Sequence, residues 1–165
     1  MVADIDALAA ELVAMLQVRG RSFATAESCT GGAISQAVTS VAGCSSVMRG
    51  AVVAYHNDVK EKVLGVSGEV LAEYGAVSEE TVVQMVNGVS ALMGADCVVA
   101  TSGIAGPGGG TPEKPVGTVW LAAKVGGVVK TRLLSLEDRG RALNIRSTVG
   151  EALRFVIGVL SDDVV

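Results

Sequence analysis

Three short apolar runs alternate with segments of helical period along this chain: Phe23 to Ser28, Val47 to Tyr55 and Cys97 to Thr101. This alternation constrains the fold more than any other feature. Tight turns join antiparallel strands, whereas strands joined through a helix run parallel with a right-handed crossover. The intervening segments carry helix signals. Ile5, Leu8, Ala9, Leu12, Met15 and Leu16 recur at helical spacing over residues 5–19, and Gly20 stops that helix. Ala33 to Val41 continues as a helix ended by Gly43. Asn57 to Leu64 gives one or two turns before Gly65, and Ser67 caps another short helix closed by Gly75. Ser78 is an N-cap hydroxyl with Glu79 and Glu80 in the first turn behind it. Val82, Val83, Met85, Val86, Val89, Leu92 and Met93 then form a wide apolar face, and Gly94 ends the helix.

The second half departs from this alternation. Thr118 to Val125 and Val128 to Leu136 have strand character, and only Gly126-Gly127 lies between them, which predicts an antiparallel hairpin. A last helix spans Arg141 to Leu160, with Leu143, Ile145, Val149, Leu153, Val156 and Ile157 facing inward. The expected architecture is α/β: three layers, α/β/α, around a mixed sheet of about five strands. No repeat or linker divides residues 1–165, so the chain reads as one domain.

Composition excludes several functions. The net charge is −4 and only 3% of residues are aromatic, so neither a basic face nor stacking side chains are available for nucleic acid. Mean hydropathy is +0.50, yet no run of 18 apolar residues occurs, and no membrane partner is expected. The acidic start Met1-Val2-Ala3-Asp4 is unlike a signal peptide. Cys29, Cys44 and Cys97 are odd in number and lack metal-ligand spacing, so a reducing, cytoplasmic setting fits. With His56 alone, a histidine-based zinc site is not expected.

Ligands of such sheets bind beyond the carboxyl ends of the parallel strands. Those ends are Ser28, Tyr55 and Ser102-Gly103. In Ala26-Glu27-Ser28-Cys29-Thr30-Gly31-Gly32 a hydroxyl and a thiol lie between a strand and a helix start. There the first free N–H groups of the helix can stabilise an oxyanion. The plainer reading is a capped helix with Ser28 or Thr30 as N-cap. Cys29 competes with Ser28 as nucleophile. Lys60, near the start of its helix, can reach back to the rim as general base once desolvated, and otherwise is a surface lysine. Tyr55 can bond nucleophile or base, or simply pack at a strand end. His56 is a further candidate base.

Ser102 through Gly117 holds all three prolines and six glycines in sixteen residues. Such a loop lets backbone N–H groups approach a phosphate, or serves as a rigid connection.

Four segments in register resemble one family: Ala26 to Gly32, Val53-Ala54-Tyr55-His56-Asn57-Asp58-Val59-Lys60, Gly75-Ala76-Val77-Ser78-Glu79-Glu80, and Gly103 through Gly117. Over residues 5–160 the chain is similar to the CinA C-terminal domain family, the nicotinamide-nucleotide amidases (NMN deamidases, PncC). The resemblance implies hydrolysis of the carboxamide of nicotinamide mononucleotide (NMN) to nicotinic acid mononucleotide and ammonia, by a serine amidase without metal or cofactor. It implies Ser28 as nucleophile, Lys60 as the lysine that activates it, and Tyr55 in the same constellation. Thr30, Gly31, Gly32, Ser45, Asn57, Ser102, Gly103 and Gly106 fall on the substrate side. The mechanism expected from it has Lys60 neutral through burial or a relay with Tyr55, and oxyanion donors from Thr30 to Gly32.

Departures concern substrate contacts. Ser102 stands where the family has threonine, Gly43-Cys44-Ser45 where many relatives have Gly-Ser-Ser, and His56 often corresponds to serine. Arg139, Arg141 and Arg146 lead into the last helix, where the family carries basic residues, without a unique match. Longer family members carry an additional N-terminal domain, so the chain resembles the stand-alone form. A homo-oligomer, most simply a dimer, is expected. Two other readings remain open: an amidase of another small amide, and a nucleotide-binding or regulatory protein without turnover.

Overall fold

The structure, a computed structural model, describes residues 4–163. Helix α1 (Ile5–Arg19) leads into strand β1 (Phe23–Glu27), helix α2 (Ala33–Thr39), a single 3-10 turn (Cys44–Ser46) and strand β2 (Met48–Val53). Helices α3 (Asn57–Leu64), α4 (Gly68–Tyr74) and α5 (Glu79–Met93) follow. The chain closes with β3 (Cys97–Gly103), β4 (Thr118–Val125), β5 (Val128–Ser135) and α6 (Arg141–Asp162).

One mixed sheet forms, in the order β2-β1-β3-β4-β5. β1 pairs in parallel with both β2 and β3, and the β4–β5 hairpin closes antiparallel on β3. This is the expected α/β architecture. Two apolar cores lie on opposite faces. One holds Leu12, Leu16, Phe23, Ile34 and Leu153, under α1, α2 and α6. The other holds Ala24, Ala26, Leu64, Met85 and Val89, under α3 and α5. No helix among the described residues is long and apolar enough to cross a membrane.

Several helix faces differ from the expected ones. Leu143 and Leu92 are exposed instead of inward. The buried stripe of α6 includes the expected Val149, Leu153 and Val156, and extends through Asn144, Thr148, Ala152 and Phe155. Asn144 can be buried because its amide donates to the Ala105 carbonyl at 3.0 Å and accepts from the Arg139 N–H at 3.1 Å, and Thr148 because its hydroxyl donates to the Asn144 backbone carbonyl at 2.8 Å.

The chain leaves β1 for β2 over one face, through α2, and reaches β3 over the other, through α3 to α5. The carboxyl end of β1 is therefore the switch point of the sheet, where a crevice opens. Register brings the three strand ends level: Glu27 pairs with both Val53 and Thr101.

Candidate active site

Successive residues of a strand point to opposite faces. Phe23 packs with the α1, α2 and α6 core, and Ala24 and Ala26 with the α3 and α5 core. Continued one step past the strand, the alternation sends Glu27 toward α2 and Ser28 toward α3. Both arrive. Glu27 accepts from the backbone N–H groups at the start of α2, and Ser28 meets Lys60 of α3.

Lys60 is 1% exposed. Its Nζ lies 3.1 Å from Ser28 Oγ, 2.9 Å from the Ala54 carbonyl and 3.3 Å from the Tyr55 carbonyl. Two sequence features place it there. His56, in extended conformation, is the N-cap residue of α3, so Lys60 falls in the first turn. Gly88 of α5 lets α3 approach closely, since a Cβ there would sit 1.9 Å from the Leu64 carbonyl oxygen. Burial lowers the pKa of Lys60 below the ordinary lysine value.

A cleft of about 200 Å³ opens over this pair, walled by Tyr55, Asn57, Ala76, Ser102, Gly103, Ala105 and Arg141 as well as Ser28, Cys29 and Lys60. All three strand ends expected to converge do so. Ser102 donates to the Ala76 carbonyl at 2.7 Å, tying β3 to the segment before α5. Gly103 has no room for a side chain, because a Cβ would meet Val119 Cγ2 at 2.5 Å.

Other expected residues lie elsewhere. Ser45 is exposed in the 3-10 turn and lines a different depression, beside Ser22 and Arg49 at the amino ends of the strands. The 3-10 turn precedes β2, whereas the cleft lies where β2 ends, so the length of the strand separates them. The His56 ring is exposed and paired with Asp58 at 2.6 Å, so it does not serve Ser28. Gly31, Gly32 and Thr30 lie beside the cleft and not in its wall, and Gly106 enters only through its carbonyl, which accepts from Arg141 at 2.8 Å. Gly108 to Gly110 are exposed and outside the cleft.

Two chemical expectations also change. The Tyr55 hydroxyl accepts from Arg141 Nη2 at 2.7 Å and contacts neither Ser28 nor Lys60, so a Tyr55 relay is not built. Cys29 is buried, and burial pushes its thiol up to about 12, which removes it as a nucleophile near neutrality.

Neither Ser28 nor Thr30 caps α2. The N-cap is Gly32, without a capping side chain, and the donors are met by Glu27 from the preceding strand. The fully buried Glu27 carboxylate accepts from Thr25 Oγ1 (3.0 Å), Thr30 Oγ1 (2.7 Å) and the N–H groups of Gly32 (3.1 Å), Ile34 (3.0 Å) and Ser35 (2.8 Å). The Gly31 N–H is bonded to the Ser28 carbonyl at 3.0 Å. Of the expected oxyanion donors at Thr30 to Gly32, only Thr30 keeps a free N–H.

Of the three arginines leading into α6, Arg141 alone lines the cleft, whereas Arg146 faces a separate groove against α1 and α2. The Arg141 guanidinium bridges the Gly106 carbonyl and Tyr55, joining the glycine-rich loop to the end of β2. Sequence spacing alone could not single it out.

The sequence model of the CinA C-terminal domain matches residues 5–160. A CinA-like protein of Cytophaga hutchinsonii is 48% identical over 153 residues, 93% of this chain and 36% of that protein. A CinA-like protein of Thermosipho melanesiensis is 54% identical over 113 residues, 68% of this chain and 28% of that protein. The chain thus spans about a third of the length of these curated relatives. Among solved structures, the competence/damage inducible protein CihA from Agrobacterium tumefaciens superposes with a TM-score of 0.93 at 43% identity, covering 96% of both chains. The competence damage-inducible protein A (ComA) from Klebsiella pneumoniae superposes with a TM-score of 0.94 at 35% identity, covering 98% of this chain and 100% of that one.

Proposed function

The chain belongs to the CinA C-terminal domain family, and from that premise we propose that it is a serine amidase that hydrolyses the carboxamide of NMN to nicotinic acid mononucleotide and ammonia. The observation that carries the proposal is the buried Lys60 amine 3.1 Å from Ser28 Oγ. A neutral amine has two N–H donors and one lone pair. The Ala54 and Tyr55 carbonyls can only accept, so they take the two N–H groups. The lone pair is left for the one neighbour that can donate, the Ser28 hydroxyl.

From this arrangement the reaction runs in two halves. Lys60 takes the Ser28 proton as Oγ bonds to the amide carbon, giving a tetrahedral oxyanion. The C–N bond then breaks, the ammonium of Lys60 returns its proton to the departing nitrogen, and ammonia leaves an acyl-serine ester. Water attacks that ester, giving its proton to Lys60. The C–Oγ bond breaks, Ser28 recovers its proton from Lys60, and the carboxylic acid product is released, losing its remaining proton to solvent. Arg141, anchored by Tyr55 and Gly106, supplies positive charge at the cleft mouth for the nucleotide phosphate.

Ammonia release from NMN by EDTA-treated protein tests the proposal. Release by the wild type, lost in both Ser28→Ala and Lys60→Ala, is expected. Full turnover by Ser28→Ala overturns the nucleophile. NMN binding without release by the wild type favours the nucleotide-binding reading, and release from other amides alone moves the substrate.

A further inference from the structure

The buried Glu27 is not used by the reaction steps above, although it precedes the nucleophile directly. A carboxyl group in an apolar interior costs several kcal/mol unless its acceptors are filled. Helix caps are ordinarily supplied by an exposed Ser, Thr, Asp or Asn at the N-cap position. Here a fully buried glutamate does this work from the strand, and Thr25 and Thr30 complete its donor set.

The consequence lies in which N–H groups remain. Between Ser28 and Ser35, the Ser28 N–H goes to the Thr101 carbonyl (3.0 Å), Gly31 to Ser28 (3.0 Å) and Ala33 to Thr30 (3.0 Å). Gly32, Ile34 and Ser35 go to Glu27. Among the described residues of this segment, only the N–H groups of Cys29 and Thr30 are bonded to neither a carbonyl nor a carboxylate, the Cys29 N–H having its own thiol beside it. They are the two that follow the nucleophile, and the N–H after a nucleophilic serine is a recurrent oxyanion donor. Cys29 also lines the cleft.

We propose that Glu27 is a positioning residue for the reaction: by holding Thr30 and the first turn of α2, it fixes the Ser28 turn with the Cys29 N–H left at the cleft wall for the oxyanion. This rests on Ser28 and Lys60 acting as assigned above. Glu27 touches no reacting atom. It occupies the α2 amino end, which is then no anion site, and leaves the Cys29 N–H beside Ser28.

The test uses a fluorophosphonate, which phosphonylates an activated serine with loss of fluoride and needs no knowledge of the substrate. Labelling rate is followed against pH for the wild type, Glu27→Gln and Thr30→Val, with the labelled residue identified by mass. In Glu27→Gln the plateau rate is expected to fall about 100-fold, the scale of a misplaced oxyanion donor. The pH midpoint is expected to stay, because Lys60 keeps its burial; a general loosening of the site would move both. Thr30→Val, which removes one donor to Glu27, is expected to fall between the two and serves if Glu27→Gln does not fold. A wild-type rate in folded Glu27→Gln, or in Thr30→Val where it alone folds, overturns the proposal. A drop accompanied by a shifted midpoint also overturns it. Absence of label on wild-type Ser28 overturns the Ser28–Lys60 assignment, a failure distinct from that of Glu27.

Discussion

Lys60 Nζ lies 3.1 Å from Ser28 Oγ, across the gap between helix α3 of one layer and the carboxyl end of β1. Among the described residues, no acidic side chain forms an ion pair with Lys60. Burial is the largest influence on Lys60 and favours the neutral amine, with a weaker opposing pull from Cys29. On the proposed mechanism, turnover depends on the fraction of Lys60 that is unprotonated. The expected pH–rate profile rises with pH, with a midpoint below the ordinary lysine value of 10.5. Lys60→Arg, which stays charged throughout, is expected to lose the ascending limb and about 10²–10⁴-fold in kcat. Initial rates across a pH series would check both.

The same displacement makes Lys60 a stability switch of known sign. Its folded-state pKa lies below its unfolded value, so between the two the unfolded chain binds more protons. Stability then rises with pH across that window, and is lost as pH falls through the folded pKa. Lys60→Met keeps the length and removes the charge. It is expected to flatten this part of the profile and to be more stable than wild type at neutral pH. Urea denaturation at several pH values measures it.

Much of this arrangement was legible in sequence, because periodicity reports which elements form. The bounds of Asn57–Leu64 and Thr118–Val125 matched, as did the parallel first strands and the Gly126-Gly127 hairpin. So did the convergence of Ser28, Tyr55 and Ser102 on one cleft. What was missed depends on contacts between distant segments. Leu143 was expected inward because hydrophobic period ignores Asn144 and Thr148; the Asn144 amide is met by the Ala105 carbonyl and the Arg139 N–H, and Thr148 donates to the backbone carbonyl one turn earlier. A glutamate before a serine gives no local sign that it will cap the following helix. The choice of Arg141 over Arg139 and Arg146 depends on where the glycine-rich loop returns, which no spacing encodes.

Cys29 provides a check on which neighbour of the motif reacts. With its thiol held at about 12, roughly one molecule in 10⁴ carries the thiolate at pH 8. Iodoacetamide is expected to modify the half-buried Cys44 in the folded protein, and the buried Cys29 and Cys97 only after unfolding. Cys29→Ala should retain activity within about threefold. Peptide mass mapping with and without denaturant, beside the rate of the variant, checks both expectations.

On the proposed function, Arg141 serves binding and not chemistry. It touches the Tyr55 hydroxyl and the Gly106 carbonyl but neither Ser28 nor Lys60. Arg141→Met is expected to raise KM for NMN about 10- to 100-fold, as loss of a charge-assisted phosphate contact should. The effect should shrink for the dephosphorylated nucleoside and at high salt. Steady-state kinetics with the two amides gives the comparison.

Gly88 tests whether the depth of α3 sets the chemistry. A Cβ at residue 88 would lie 1.9 Å from the Leu64 carbonyl oxygen, a backbone atom that cannot swing aside. The α3 helix must move, and Lys60 moves with it. Gly88→Ala gains about 1 kcal/mol of helix propensity, but overpacking of this kind costs roughly 1–3 kcal/mol. The net effect is a small loss of stability. Activity should respond far more, because a shift of about 1 Å at a reacting group can cost about 100-fold. Gly158→Ala on α6, where nothing lies within 4 Å of the added methyl, is the control and should gain stability without losing rate. Urea midpoints and ammonia release measured on both variants distinguish a change in α3 position from a general change in glycine content.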